Sequence, residues 1–422
     1  MHQLADVAAH ELADIAPLMD ELHLIHKHLN GLDSSGWSND PPRQAVTKRM
    51  RALSDVTDQP LMVDLHLDAK VLLPDNVARE AAVAAAALLR LTPAPLGVAA
   101  WREYHGRFLE RYGPGAIVSV AQLTSAAAGI GFPHHFDDRQ QPKRYVNSRD
   151  NQLLTLAHEA ATNNMGELVL DADTMNALAP PETDTHTQTV PHVDVWFDLR
   201  APSTTALDNG EFTLAICGVG RSAAAVGRFV DDLPKEDRDQ LIRAYRKLPT
   251  TTDGALPVQL SFPPKTLKTE NTLRAPALWP DVISLAEHPD DDSNPIPLAD
   301  LAVTADQHRF YLVSTSRRRV VEPQIPHAGA RHTMPALARF LFELPRATGP
   351  AISPFDWGSA SCLPFLPRVR YGRSILAPAR WRLNLADSPN PAMPHDEWAE
   401  ALTELLNRRR IPTAISVGED DR

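Results

Sequence analysis

Two short basic clusters carry the chemistry that residue type alone can assign. In Gly218-Val219-Gly220-Arg221-Ser222, followed by Gly227-Arg228-Phe229, small residues at the end of an apolar run let backbone N–H groups approach an anion or a carbonyl. Arg221 and Arg228 add planar forks that can hold a phosphate or carboxylate through two bonds. The commoner use of such residues is a glycine-rich turn whose arginines cap a helix or stand in solvent, and the sequence leaves both readings open. In Ser314-Thr315-Ser316-Arg317-Arg318-Arg319, three consecutive cations follow a strand-like run. A nucleic-acid backbone would reward each phosphate they neutralise by releasing counterions, whereas the plain alternative is a solvated hairpin turn. Arg368, Arg370 and Arg373 recur around Tyr371, whose ring offers a stacking surface.

Other candidates are single residues. Residues 61–67 alternate well enough for a strand that sets Asp64 and His66 on one face. Asp64 there is a base or an arginine partner, and a buried structural ion pair is the commoner case. His186, His192 and Asp194, like His23, His26 and His28, have metal-ligand chemistry without a ligand spacing, so no metal is assigned. Cys217, inside an apolar run, reads as a small core residue with nothing nearby to make its thiol reactive. The GxGxxG, Walker, HExxH and GxSxG motifs are all missing, which removes the commonest dinucleotide, nucleotide, zinc-protease and serine-hydrolase sites.

These residues need elements to position them. Apolar residues from Leu4 to Leu29 recur at helical spacing, with Pro17 expected to kink or split the helix. An Ala-rich helix is expected over 77–91, a second from near Leu96 to Tyr112 with Trp101, Tyr104 and Phe108 on one face, and a third over 147–164. After Val190 the period changes to two. Val193, Val195, Phe197 and Leu199 alternate, as do Phe212, Leu214 and Ile216, around a turn at Asp208-Asn209-Gly210. Further strands are expected at 257–262 and 310–314, helices at 237–247 and 334–344, and an acidic surface loop at 287–297. The fold class is therefore mixed α/β: a helix-rich part over 1–185, a largely antiparallel sheet part over 186–385, and a C-terminal helix with a truncated strand over 386–422.

Composition sets the outer bounds. The 422 residues are 43% hydrophobic and 23% charged, the profile of a soluble globular chain with an ample core. The 37 prolines, roughly 9% against an ordinary ~5%, imply many rigid connections. A net charge of −11 disfavours general attraction to nucleic acid, leaving only local arginine patches for that task. Two cysteines form no disulfide framework and fit a reducing cytoplasm, and neither a signal peptide nor a membrane span is evident.

Several stretches combine into a more specific pattern. Trp101-Arg102-Glu103-Tyr104-His105, Phe108-Leu109-Glu110-Arg111-Tyr112-Gly113 and Gly129-Ile130-Gly131-Phe132-Pro133 come first. Gly227-Arg228-Phe229, Tyr311-Leu312-Val313-Ser314, Val321-Glu322-Pro323 and Phe365 through Gly372 follow, and the series closes with Ile375 through Leu383. In order and spacing over about residues 55–385, this resembles the N-terminal part of the LanB-type lantibiotic dehydratases. The resemblance implies an α/β glutamylation domain that takes glutamate from glutamyl-tRNA and esterifies Ser or Thr of a ribosomal precursor peptide. A separate elimination domain would then remove the glutamate. It also implies glutamyl-tRNA as co-substrate with no further cofactor, Arg228 and then Asp64 as catalytic candidates, and Arg221, Arg317, Arg318, Arg319, Arg368 and Arg370 as contacts to substrate or tRNA. Full members of the family carry sequence before and after the matched stretch, so a fragment or split protein is expected, with N-terminal and elimination-domain subunits as partners. A catalytically inactive scaffold that binds peptide, tRNA or a partner subunit is the alternative.

Overall fold

The computed structural model describes residues 15–32, 41–57, 59–64, 69, 71–134, 136, 147–179, 190–221, 223–288, 292–383, 386, 388–412, 415–416 and 418, and all counts refer to these. Two sheets carry the architecture. The larger has seven strands in the order β1 (Val118–Ser119), β8 (Leu301–Ala305), β9 (Phe310–Ser314), β10 (Arg319–Gln324), β5 (Leu256–Ser261), β6 (Asp281–Ser284) and β7 (Asn294–Pro295). Pairing is antiparallel from β1 to β10 and parallel from β10 to β7. The smaller sheet has five strands: β2 (Glu167–Val169), β12 (Arg368–Tyr371), β13 (Ser374–Ala377), β4 (Thr213–Gly220) and β3 (Asp194–Arg200). There parallel and antiparallel pairs alternate. A two-stranded antiparallel piece joins β11 (Phe365–Leu366) to β14 (Arg380–Trp381).

Each sheet has its own core, and each core draws on both halves of the chain. Helix α1 (Ala16–Leu32) pairs with α2 (Pro41–Leu53) through the Arg49–Glu21 ion pair at 2.7 Å. Helix α3 (Asp75–Arg90) presents Val77, Ala84, Ala87 and Leu88 to the smaller sheet, where its alanines allow close approach. Its buried Glu80 accepts from the Arg373 N–H at 2.8 Å and the Ser374 hydroxyl at 3.0 Å, fixing the turn between β12 and β13. Helix α4 (Ala99–Tyr112) lays Trp101, Tyr104 and Phe108 into the larger core against Phe310 and Phe340. Fully buried aromatic rings of this kind contribute about 1.5–3 kcal/mol each. The other side of α4 clamps a loop: Arg107 donates to the Ile130 carbonyl at 2.7 Å, and Arg111 to Gly129 and Ala128 at 2.8 and 2.9 Å. Gly129 is obligatory there, since a Cβ would collide with the Gln122 and Leu123 carbonyls. Helix α5 (Ser148–Thr162) starts with a reciprocal cap between Asn147 and Asp150. Helices α6 (Lys235–Arg246), α7 (Ala336–Glu343) and α8 (His395–Arg408) complete the longer elements.

Mixed α/β is the observed class, with corrections of detail. Six of eleven strand pairings are antiparallel and five parallel, so antiparallel pairing holds only a narrow majority. Residues 61–64 join no strand, and 65–67 lie outside the described residues, His66 among them. Met62 and Val63 are exposed, so the alternation in that segment has no buried face to define it. Cys217 is exposed rather than in the core, because β4 turns Leu214 and Ile216 inward and Cys217 outward. Between β3 and β4 the chain makes a one-turn helix (Thr204–Asp208) capped by Ser203 instead of a tight hairpin. Pro17 sits in the first turn of α1, where its missing N–H costs nothing, so it starts the described helix and does not kink it. The acidic stretch 287–297 contains β7 and the buried Ile296, which the parallel edge captures.

Candidate functional site

Arg228 and Asp64, which stand 164 positions apart in sequence, meet in a side-chain ion pair. Arg228 lies on a short 3-10 turn (Gly227–Asp232), and Asp64 on the extended segment before residue 65. The pair is half open: the arginine side chain is 18% exposed and the aspartate 39%. The guanidinium also covers the ring of Phe229 at 4.5 Å. Gly227 fixes the position of this turn, because a Cβ there would collide with the carbonyl oxygen of Pro326, just past β10. An arginine oriented by a carboxylate and still reachable from solvent can receive an incoming anion.

Arg221 has a different setting. At the end of β4 its guanidinium donates to the Phe342 carbonyl on α7 and stacks over the Phe342 ring at 3.9 Å. It borders a buried network centred on Glu322 of β10. That carboxylate accepts from Arg346 at 2.8 Å, from the Thr251 N–H at 2.6 Å and from the Thr251 hydroxyl at 3.1 Å. Arg346 also reaches the Thr251 hydroxyl at 2.9 Å and the His192 ring at 3.4 Å. Burial, with Arg346 next, pulls the Arg221 pKa well below the usual guanidinium range. Burial, reinforced by Arg346, lowers His192 to about 4, which keeps the ring neutral. Burial works against ionising Glu322, but Arg346 and the Thr251 donor hold it below the ordinary carboxylate range. The network links the end of β4 in one sheet to β10 and α7 over the other.

The basic hairpin is stapled from within. Ser314, Thr315 and Ser316 all donate to Asp300, including Thr315 at 2.7 Å and the Ser316 N–H at 2.7 Å. Burial opposes ionisation of Asp300, but these donors bring it down to about 2. Arg317 pairs with Asp281, and Arg319 donates to the Gly254 carbonyl at 2.9 Å. Arg318, at the left-handed turn position with φ 51°, is exposed. On the other sheet, Arg368 and Arg370 both hold Glu167 of β2, at 2.8 and 3.1 Å. Of the eight site residues named from sequence, the structure joins Arg228 to Asp64 and Arg368 to Arg370 and divides the rest between two sheets. His186 lies outside the described residues, and among those described no three His, Cys, Asp or Glu side chains converge as a metal site. Nor does any described helix have the length and apolarity to cross a membrane.

One site went unread in the sequence. A cleft of about 500 Å³ opens beyond the carboxyl ends of β5, β6 and β10, lined by Ser261, Phe262, Glu287, Pro326 and His327 among others. Its residues are scattered over some seventy positions, and only the parallel pairing, which no local pattern encodes, brings them together.

Comparison with known proteins accounts for the motif series. The family described as "Lantibiotic dehydratase, N terminus" matches residues 1–422. The epidermin biosynthesis protein EpiB of Staphylococcus epidermidis is 24% identical over 379 residues, covering 86% of this chain and 36% of EpiB. The crystal structure of the tRNA-dependent lantibiotic dehydratase MibB from Microbispora sp. 107891 superposes with a TM-score of 0.86 at 29% identity, over 95% of this chain and 39% of MibB. The glutamylation domain of TbtB from thiomuracin biosynthesis, bound to 5'-phosphodesmethylglutamycin, shares the fold at a TM-score of 0.56 and 17% identity, over 92% of this chain and 50% of TbtB. The chain thus spans less than two fifths of the length of EpiB or MibB. By the match along all its residues, the chain belongs to the lantibiotic dehydratase N-terminal family.

Proposed function

We propose that this chain forms the glutamylation part of a lantibiotic dehydratase, moving glutamate from glutamyl-tRNA to Ser and Thr hydroxyls of a ribosomally made precursor peptide. The observation that carries this reading is the superposition on a tRNA-dependent lantibiotic dehydratase over 95% of the chain. In the transfer, the peptide hydroxyl oxygen bonds to the glutamyl carbonyl carbon and the bond from that carbon to the tRNA ribose oxygen breaks. The hydroxyl proton ends on the ribose oxygen. The product is an ester, from which an elimination-domain partner removes the α-proton and expels glutamate as its carboxylate, a far better leaving group than hydroxide. Arg228 holds the glutamyl carboxylate or a phosphate near the tRNA terminus, and Asp64 orients the guanidinium. The exposed Arg318 is the first candidate for a tRNA contact, Arg317 and Arg319 on the same hairpin and Arg368 and Arg370 on the other sheet are the next, and Arg221 braces the buried network around Glu322. The work is cytoplasmic, where charged tRNA is available.

The test is mass spectrometry of precursor peptide incubated with the assembled enzyme, glutamate, glutamyl-tRNA synthetase and tRNA. Glutamyl adducts that disappear when tRNA is omitted are expected. Peptide binding without adducts under any pairing of subunits would leave the inactive scaffold.

A further inference from the structure

We propose that Ala223 is a positioning residue for Arg228: its left-handed backbone, held in place by burial, sets the turn from which that guanidinium reaches Asp64. The turn follows the end of β4 at Gly220 and carries Arg221 near its start and Arg228 near its end. Ala223 takes φ 69°, a conformation that residues with a Cβ avoid, because that carbon crowds the carbonyl oxygen that follows. Five non-glycine residues among those described have positive φ. Asn164, Ala286, Arg318 and Arg410 are exposed, and Ala223 alone is buried. A strained conformation inside a protein lasts only where its surroundings hold it.

Three kinds of contact do so here. The Ala223 methyl packs in a small core with Val230, Leu278 and Trp279, separate from the two sheet cores and covered by Leu241, Ile242 and Tyr245 of α6. Its N–H donates to the Tyr245 hydroxyl. Its carbonyl accepts the Gly227 N–H at 3.0 Å, and the turn continues with the Phe229 N–H donating to the Val226 carbonyl at 2.9 Å.

These contacts bracket the arginine. Ala223 precedes Arg228 and Val230 follows it, both at 0% exposure in the same small core. Between them Gly227 lies against the Pro326 carbonyl with no room for a Cβ. The backbone on either side of Arg228 is therefore tied down, while its side chain stays 18% exposed. A long side chain can present its charge at one place only if the backbone beneath it is fixed, and binding groups need such support to stay within about 0.5 Å of a working position. That Arg228 acts on a glutamyl carboxylate or a phosphate rests on the function proposed above. The setting of the turn does not.

Hydrogen exchange read by mass spectrometry on the full chain tests the turn, and glutamyl transfer by the assembled enzyme tests its use. Ala223→Val bars the left-handed form, and exchange should quicken about 10-fold in peptides spanning residues 224–230 and nowhere else. Tyr245→Phe keeps the ring, strands the Ala223 N–H and should quicken the same peptides about 10-fold, which serves if the valine variant does not fold. Ala223→Gly admits φ 69° freely, and its relieved crowding offsets the lost methyl, so exchange and transfer should both stay within about 3-fold of wild type. Transfer should fall about 10-fold in kcat/KM in Ala223→Val or Tyr245→Phe. The same changes in an Arg228→Lys background should cost less than about 2-fold, since a residue acting through Arg228 has little left to act on. Wild-type exchange in both Ala223→Val and Tyr245→Phe would overturn the proposal, as would an equal 10-fold loss of transfer in both backgrounds or a loss in Ala223→Gly as large as in Ala223→Val. Exchange quickened as expected in a protein whose wild type transfers no glutamate would remove the proposed function and uphold the setting of the turn.

Discussion

Two arginine–carboxylate pairs in this molecule share their chemistry and differ in setting. Arg346 and Glu322 are 9% and 1% exposed, while Arg228 and Asp64 are 18% and 39% exposed. The first carboxylate is satisfied by backbone and side-chain donors and sits where the two sheets meet, so it acts on architecture. The second pair keeps an open side. A charge held at low dielectric with every partner fixed is costly to unpair, whereas a half-solvated one is cheap to rearrange around a ligand. Burial thus separates a structural arginine from a candidate for substrate binding more sharply than the residue type does.

The largest test of this contrast is stability. Glu322→Ala strands the Arg346 charge and should cost about 3–5 kcal/mol in urea denaturation, and a Glu322→Leu/Arg346→Met double variant should recover much of it. Arg228→Ala should cost less than about 1 kcal/mol and yet abolish glutamyl transfer in the assembled enzyme, with Asp64→Asn impairing transfer to a lesser degree. Equal destabilisation by Glu322→Ala and Arg228→Ala, or full transfer by Arg228→Ala, would remove the distinction.

The pH dependence sharpens it. His192 and His327, both near 4 in the folded protein, stay neutral while the unfolded chain takes up protons near 6.5. The unfolded state therefore binds more protons between those values. Stability should be level above pH 6.5 and fall on acidification from about 6.5 toward 4, by up to roughly 1.4 kcal/mol per pH unit for each histidine. His192→Asn should show a shallower decline in the same denaturation series.

The smallest effect concerns the basic hairpin, which repeats the comparison within three residues. Arg317 is paired with Asp281 and Arg318 is exposed. In salt titrations of tRNA binding, Arg318→Ala should flatten the slope of log affinity against log salt by roughly 0.7–0.9, the effect of one phosphate contact. Arg317→Ala should change the slope less than Arg318→Ala does. A reversed order would make Arg317 the RNA contact.

Local features were legible in the sequence and distant ones were not. Trp101, Tyr104 and Phe108 repeat at helical spacing and do form one buried face, and β9 spans the expected residues Phe310–Ser314. Arg228 and Asp64 could each be named as chemically able, but their contact spans 164 positions and follows no period. Glu322 was visible only as part of a Val-Glu-Pro motif, and its role comes from Thr251 and Arg346 arriving from other elements. The cleft was illegible for a related reason. Alternation within one strand gives its two faces, but which strand lies beside it, and in which direction, is set by the crossovers.

The pairing of β2 with β12 has a consequence for how the chain is made. Glu167 of β2 takes Arg368 as its register partner, about 200 residues later in the chain. At 5–20 residues per second, a ribosome needs roughly 10–40 s to synthesise that interval. Throughout it, β2 and the apolar side of α5 beside it have no sheet to join, and the nascent chain presents them to whatever else is nearby. Synthesis speed across residues 170–370 and the supply of chaperones should therefore govern the soluble yield of this protein more than its final stability does.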